Sequence, residues 1–283
     1  QMCIRDSADT LPHGPTHSPL QSSLRWRRKC TVKLAAMINK VVSSANDAVA
    51  DIGDGVSIAV GGFGPVGVPT RLIDALRQQG AGDLTIISNN LGADGFGLGL
   101  LLADKRISRS IGSYLGTNKE YARQYFEGEL TVEFTPQGSL AERLRAGGAG
   151  IPAFYTKAGV GTPLATGDIP TRYNPDGTIA EYAKPKELRE FGGEQYMMEE
   201  ALTPDYAFVH AAKADRFGNL VFEKTAQNFN PDAAVAGRIT IVQAEKVVDE
   251  LAPHEVNLPG IYVDRVVEVG PQETGIAFRT VSK

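Results

Sequence analysis

Cysteine is nearly absent: the 283 residues hold two, Cys3 and Cys30, both within the first 36 positions. Of four histidines, only His210 and His254 lie beyond that stretch. Residues 37–283 therefore lack the means for a disulfide framework, a cysteine nucleophile or a cysteine-rich metal site. Long apolar runs are missing too. The cleanest, Val56–Val60 and Leu100–Ala103, fall far short of the ~20 residues a membrane-spanning helix needs. Positive charge is short in the main body: the first 36 residues carry six basic against two acidic side chains, leaving 23 basic against 31 acidic. An acidic body without a basic stripe argues against nucleic acid as a partner. What remains, 42% hydrophobic and 22% charged, is the composition of a soluble, cytoplasmic globular protein with a sizeable core.

Residues 1–36 differ in character, with three prolines, scattered serines and no sustained hydrophobic period. They read as an extension of translated upstream or artefactual sequence. A targeting segment is the alternative, since Arg25, Trp26, Arg27 and Arg28 suggest one while Asp6 and Asp9 fit it poorly. Met37 is the expected start of the natural protein, and residues 37–283 are expected to form a single domain.

From there the pattern alternates. A Ser-capped helix is expected at residues 43–49, strands at 56–60, 84–88, 107–111, 130–134, 207–212, 240–243 and 261–269, and helices at 70–79, 96–104, 118–127 and 140–146. Strand–helix alternation of this kind predicts an α/β fold with a largely parallel sheet flanked by helices. Residues 159–182, rich in Gly, Pro, Thr and Asp, predict a long surface excursion. No internal repeat stands out.

The first segment with chemical content is Gly61-Gly62-Phe63-Gly64-Pro65-Val66-Gly67-Val68-Pro69, between a strand and a helix. Glycines there permit positive φ and close approach of a ligand, and a helix N-terminus favours negative charge. Gly62, Gly64 and Gly67 formally spell G-x-G-x-x-G, the mark of a dinucleotide site. That reading wants an acidic residue at the end of the next strand, where Asn89 and Asn90 stand instead. A glycine turn that merely packs a helix on a sheet is the plainer alternative.

The whole string from Asp54 to Pro69 resembles the N-terminal motif of the family I CoA-transferases: an Asp-Gly turn, an apolar strand, Gly-Gly-Phe, then Gly-x-Pro. The likeness continues in order through Ser88-Asn89-Asn90 with Phe96–Gly99, Leu130–Ala149, Gly150–Thr156, Lys186–Phe191 and Lys213–Asn219. It is strongest to the α (A) subunit of the 3-oxoacid type, which uses succinyl-CoA, and spans most of residues 38–265.

The resemblance implies a ping-pong transfer of CoA from an acyl-CoA to a short 3-oxo acid, with CoA as a substrate and no other cofactor. A glutamate attacks the thioester, giving an acyl–glutamyl anhydride, and the released thiolate then makes an enzyme thioester. In the family that glutamate sits in a Ser-Glu-Asn-Gly context on the β half. No Ser-Glu-Asn-Gly occurs in this sequence, so the nucleophile is expected on a separate β (B) subunit, and no catalytic nucleophile is assigned here.

Oxyanions formed along that route need preorganised donors. Gln137, Asn89 and Asn90 stand where the family's motifs meet the substrate carboxylate and carbonyl; alternatively their amides only satisfy loop backbone. Gly61, Gly62, Phe63, Gly64 and Gly67 form the expected substrate loop. Gly147-Gly148-Ala149-Gly150 resembles a flexible stretch where a CoA arm approaches, or else is a helix C-cap with a hinge.

Other chemistries fit less well. There is no G-x-S-x-G elbow for a serine hydrolase, and neither histidine has ligands at metal spacing. His210 reads as a hydrogen-bonded strand residue and His254 as a surface residue. Glu142, Arg143 and Arg145 read as a solvated helix face; Met197 and Met198 read as packing in a helix-like piece whose solvated side holds Glu199 and Glu200. Two alternatives to the transferase stay open: a non-catalytic subunit of the same fold, and an oxidoreductase subunit built on the glycine loop.

Overall fold

Short apolar, β-branched runs between amphipathic segments give the chain its alternation of strand and helix. A computed structural model describes residues 38–116 and 118–272. The extension at residues 1–36 and the start at Met37 lie outside the described residues. Two compact units divide the chain, residues 1–39 and 40–283, and the elements named here belong to the second.

Helix α1, Ala45–Val49, begins at Ser44, whose hydroxyl accepts from the Asp47 N–H at 3.1 Å. There follow β1 (Ser57–Val60), α2 (Thr70–Gln79), β2 (Leu84–Ile87), α3 (Leu98–Ala103), β3 (Ile107–Gly112), α4 (Lys119–Phe126), β4 (Thr131–Phe134) and α5 (Gln137–Gly148). Then come β5 (Ala153–Thr156), a one-turn helix α6 (Pro163–Thr166), β6 (Pro170–Tyr173), β7 (Ile179–Tyr182), β8 (Leu188–Phe191) and β9 (Glu194–Glu200). The main alternation resumes with β10 (Tyr206–Asp215), β11 (Leu220–Val221), α7 (Asn230–Ala236), β12 (Ile239–Val248) and β13 (Arg265–Glu268).

The sheet runs β13-β12-β10-β1-β2-β3-β4, parallel throughout, with β11 added antiparallel to β10. This is the α/β architecture that the alternation predicts. Its two faces bury separate cores. Helices α1 to α4 cover one face with Leu72, Ile73, Leu101 and Tyr121 against Ile58, Ile86 and Phe208. On the other, α5 and α7 set Leu140, Leu144, Ala233 and Ala234 against Ala59, Ala207, Val209 and Val242. Strand order reverses at β1, which pairs β2 on one side and β10 on the other. In open α/β sheets the crevice at such a reversal, beyond the strands' carboxyl ends, is where ligands bind.

A repeat does exist, in backbone rather than in residues. After β1, Phe63 and Val66 exchange backbone hydrogen bonds at 3.0 and 3.1 Å around Gly64-Pro65. After β2, Ala93 and Phe96 do the same at 3.4 and 3.0 Å around Asp94-Gly95. Each miniature hairpin is flanked by glycines of positive φ, Gly62 and Gly67 in the first, Gly92 and Gly97 in the second. Adjacent parallel strands thus end in the same device.

Three local expectations need correction. Met197 to Glu200 form strand β9, paired with β5 and β8, not a helix-like piece. The period is two: Met197 and Glu199 are fully buried, while Glu200 is exposed. Glu199 is held by Lys186 Nζ at 2.5 Å instead of by water. Arg143 is likewise not solvated. It is 6% exposed and bonds Glu133 Oε1 at 2.8 Å, Thr135 Oγ1 at 3.1 Å and the Glu200 carbonyl at 2.7 Å, whereas Arg145 and Glu142 pair on the outer side. The last strand is shorter than expected, because a 3₁₀ turn at Gly260–Tyr262 precedes it. The excursion at residues 159–182 is largely exposed, as expected, and holds α6 and the β6–β7 hairpin.

Candidate active site

Beyond β1, the glycine loop is held from a distance. Asn228 Oδ1 accepts from the Gly62 N–H at 3.1 Å, and its Nδ2 donates to the Val66 carbonyl at 3.0 Å. Asn230, fully buried, donates to the Gly67 carbonyl at 2.9 Å and accepts from the His210 N–H at 2.8 Å. Glycine is required where these contacts close. A Cβ on Gly61 would sit 2.0 Å from Asn230 Oδ1, and one on Gly67 2.6 Å from the Ala226 carbonyl.

Those bonds bear on the dinucleotide reading. A pyrophosphate needs free N–H groups in the loop and at the first turn of the following helix. Here the Gly62 N–H is taken by Asn228, and the Arg71 and Leu72 N–H groups at the start of α2 donate to Gln243 Oε1 at 2.8 and 3.2 Å. The Gly62 amide and the first turn of α2 are thus already engaged within the chain.

The tip of the loop faces outward. Phe63 is 46% exposed and stacks parallel to Phe229, ring centres 6.5 Å apart. Beside it opens a cleft of about 400 Å³, lined by Phe63, Gln137, Gly138, Asn228, Phe229 and Asp232. Gln137 is the first residue of α5, and among the described residues its side-chain amide has no hydrogen-bond partner. The helix N-terminus adds positive potential at the same place. Burial pushes the Asp232 carboxyl above its ordinary range, Glu142 adds to the shift and Arg145 opposes it.

The other two amides are held through their oxygens, which leaves their Nδ2 groups to donate. Asn89 is 4% exposed, and its Oδ1 accepts from Ser113 Oγ at 2.6 Å. Asn90 Oδ1 accepts from the Gly92 N–H at 3.0 Å, a turn closed within its own loop. Neither lines the Gln137 cleft. Gly147 and Gly148 let α5 pack closely: a Cβ would meet the Leu202 carbonyl at 2.0 Å and the Val235 carbonyl at 2.5 Å. That space is filled by this chain's own backbone, whereas Ala149 and Gly150 are exposed.

A family model described as coenzyme A transferase matches residues 42–269. The chain belongs to the coenzyme A transferase family. Among its relatives is the A subunit of the probable succinyl-CoA:3-ketoacid coenzyme A transferase of Mycobacterium bovis, 56% identical over 246 residues, 86% of this chain and 99% of that protein. The Bacillus subtilis protein of the same description is 50% identical, over 87% of this chain and 97% of its own length. An acyl-CoA transferase from E. coli O157:H7, solved as a thioester complex with CoA, superposes with a TM-score of 0.70 at 28% identity. That match covers 84% of this chain and 48% of the solved one, so this CoA-transferase chain spans about half of that longer polypeptide.

Three residues of the cleft, Asn228, Phe229 and Asp232, have no place in the sequence reading. Their signal is the string Asn228-Phe-Asn-Pro-Asp232, in which two asparagines and a proline at a helix start mark turn chemistry but do not name the loop they hold.

Proposed function

We propose that this chain is the α (A) subunit of a succinyl-CoA:3-oxo acid CoA-transferase, acting with a β (B) subunit that carries the nucleophilic glutamate. The 56% identity to the A subunit of an enzyme so described, over 99% of its length, carries the reading. The cleft supplies the chemistry. Thioester attack turns a carbonyl oxygen into an oxyanion, which needs donors held in place before reaction. Gln137 Nε2, without a partner among the described residues at the N-terminus of α5, supplies one such donor. Phe63, at the tip of a loop stitched by Asn228 and Asn230, forms an apolar wall beside it. CoA enters as a substrate and the acceptor is a short 3-oxo acid such as acetoacetate.

On this reading the chain alone has no turnover. The test is co-expression with a β subunit bearing Ser-Glu-Asn-Gly, then assay with succinyl-CoA and acetoacetate. Activity is expected only in the complex, and borohydride reduction of the enzyme thioester should modify a glutamate of the β subunit. Turnover by the isolated chain, or a modified glutamate within it, would refute the assignment.

A further inference from the structure

The glycine loop also borders a second cavity of about 400 Å³, whose lining includes Pro65, Val66, Phe96, Phe222, His210 and Glu245. Strands β10 and β12 run on past the end of β1. His210 and Gln243 are register partners there, and Glu245 follows two residues later on the same face. Gln243 has no exposed surface, and His210 has 7%.

Every polar atom of Gln243 is used. Its Oε1 accepts from the Arg71 and Leu72 N–H groups, and its Nε2 faces His210 Nδ1 at 3.1 Å and Gln272 Oε1 at 3.1 Å. Helix α2 has no capping side chain of its own, since Pro69 occupies that position. Gln243 supplies the cap from 172 positions away. Two N–H donors fix which end of the amide is the oxygen, so the NH₂ group must point at the imidazole. His210 Nδ1 is therefore an acceptor, and its ring proton sits on Nε2, facing Glu245 Oε1 at 3.3 Å.

We propose that His210 and Gln243 are positioning residues for the transferase reaction: the neutral imidazole orients the Gln243 amide, which caps α2 and so anchors the glycine loop whose tip walls the Gln137 cleft. The proposal rests on the function proposed above. A proton on Nδ1 would set an N–H donor against the NH₂ group. Turning the amide to relieve that would set its NH₂ against the Arg71 and Leu72 donors, so a protonated His210 is incompatible with the cap. The charged groups on the elements around the ring are Glu245 of β12, Glu223 and Lys224 across the cavity, and Arg71 at the start of α2, which meets the network through its backbone. Among the described residues, only Glu245 is within ion-pair distance of the ring. Burial holds the imidazole below its ordinary value, with Glu245 opposing.

The test uses the complex with the β subunit, with kcat and KM measured between pH 5 and 8 and hydrogen exchange followed at the Arg71 and Leu72 amides. In the wild type, kcat is expected to fall on the acid side as those two amides lose protection beyond the intrinsic pH dependence of exchange. His210→Asn keeps an acceptor near the Nδ1 position but cannot titrate, so both acid changes should vanish. Gln243→Leu should expose both amides and lower kcat about tenfold or more at every pH, as misplacing a catalytic constellation does. An acid limb that persists in His210→Asn would overturn the proposal, as would faster exchange in Gln243→Leu with kcat unchanged. A wild-type complex without transferase turnover would instead refute the function itself, and protection of the two amides that does not depend on His210 would then refute the role of His210 in holding the cap.

Discussion

The side-chain amide of Asn230 donates to the carbonyl oxygen of Gly67 at 2.9 Å, across 163 positions of sequence. The same group donates to the Ala226 carbonyl at 2.9 Å and accepts from the His210 N–H. One buried side chain thus ties the glycine loop to the start of α7 and to β10. Asn230→Leu leaves two carbonyls and one N–H without partners, and should cost at least ~2 kcal/mol, given ~1–3 kcal/mol for each buried unsatisfied group. A lower urea midpoint with an unchanged slope would report this, and an unchanged midpoint would contradict it.

Gly61 and Gly64 separate packing from backbone strain. A Cβ on Gly61 meets Asn230 Oδ1 at 2.0 Å, whereas one on Gly64 meets open space at φ +56°. Gly64→Ala should therefore cost only the left-handed penalty of about 1–2 kcal/mol. Gly61→Ala should cost more and should carry the Asn230 contacts with it. Equal thermal shifts for the two variants would be inconsistent with this geometry.

Glu133 and Arg143 predict an acid dependence of stability. Burial pushes the Glu133 carboxyl up, but the Arg143 and Arg109 guanidiniums outweigh that and hold it below the ordinary glutamate value. A depressed native value means that the unfolded chain binds the proton more readily. The contribution is therefore complete above the ordinary value and is lost as the pH falls through the native one. In Glu133→Gln that part of the acid decline should be missing from the unfolding free energy. Arg143→Met should cost ~3–5 kcal/mol, as breaking a buried pair does, because Glu133 loses its buried partner and Glu199 is left with Lys186 alone.

Gln137→Ala tests the oxyanion role. In the complex with the β subunit, kcat should fall by roughly 10²-fold, the loss expected from one oxyanion donor. The fold should not change, since the side chain has no internal partner to lose. Asn90→Ala tests a second amide of the same kind: its oxygen closes a turn onto Gly92 and leaves Nδ2 to donate, so both stability and kcat should fall. An unchanged kcat in Gln137→Ala would return that amide to the solvent surface.

The order of strands and helices was legible in the residues, because apolar β-branched runs and amphipathic segments are local and their periods differ. So were the caps at Ser44 and Gly80, which depend on neighbours within one turn. Family membership was legible as well, from collinear strings between Asp54 and Asn219. Of the candidate site, Phe63 and Gln137 were named from those strings, and the structure sets them on one cleft. Arg143 and Glu199 were misread because a charged side chain in an amphipathic stretch ordinarily faces water. Only the half-buried partners Glu133 and Lys186, brought in by other strands and loops, reverse that expectation.

The sequence by itself determined which segments could become strands and helices, which family string precedes α2, and that no Ser-Glu-Asn-Gly is present. Tertiary structure alone decided that Asn228 and Asn230 hold the glycine loop, that Gln243 caps α2, and that Gly147 and Gly148 are packing residues. The reason is one of range. A cap or turn within a few residues leaves a spacing that can be read, whereas a side chain that satisfies backbone groups more than 160 positions away does so because β10 lies beside β1 and β12 beside β10, and strand order leaves no mark in local composition.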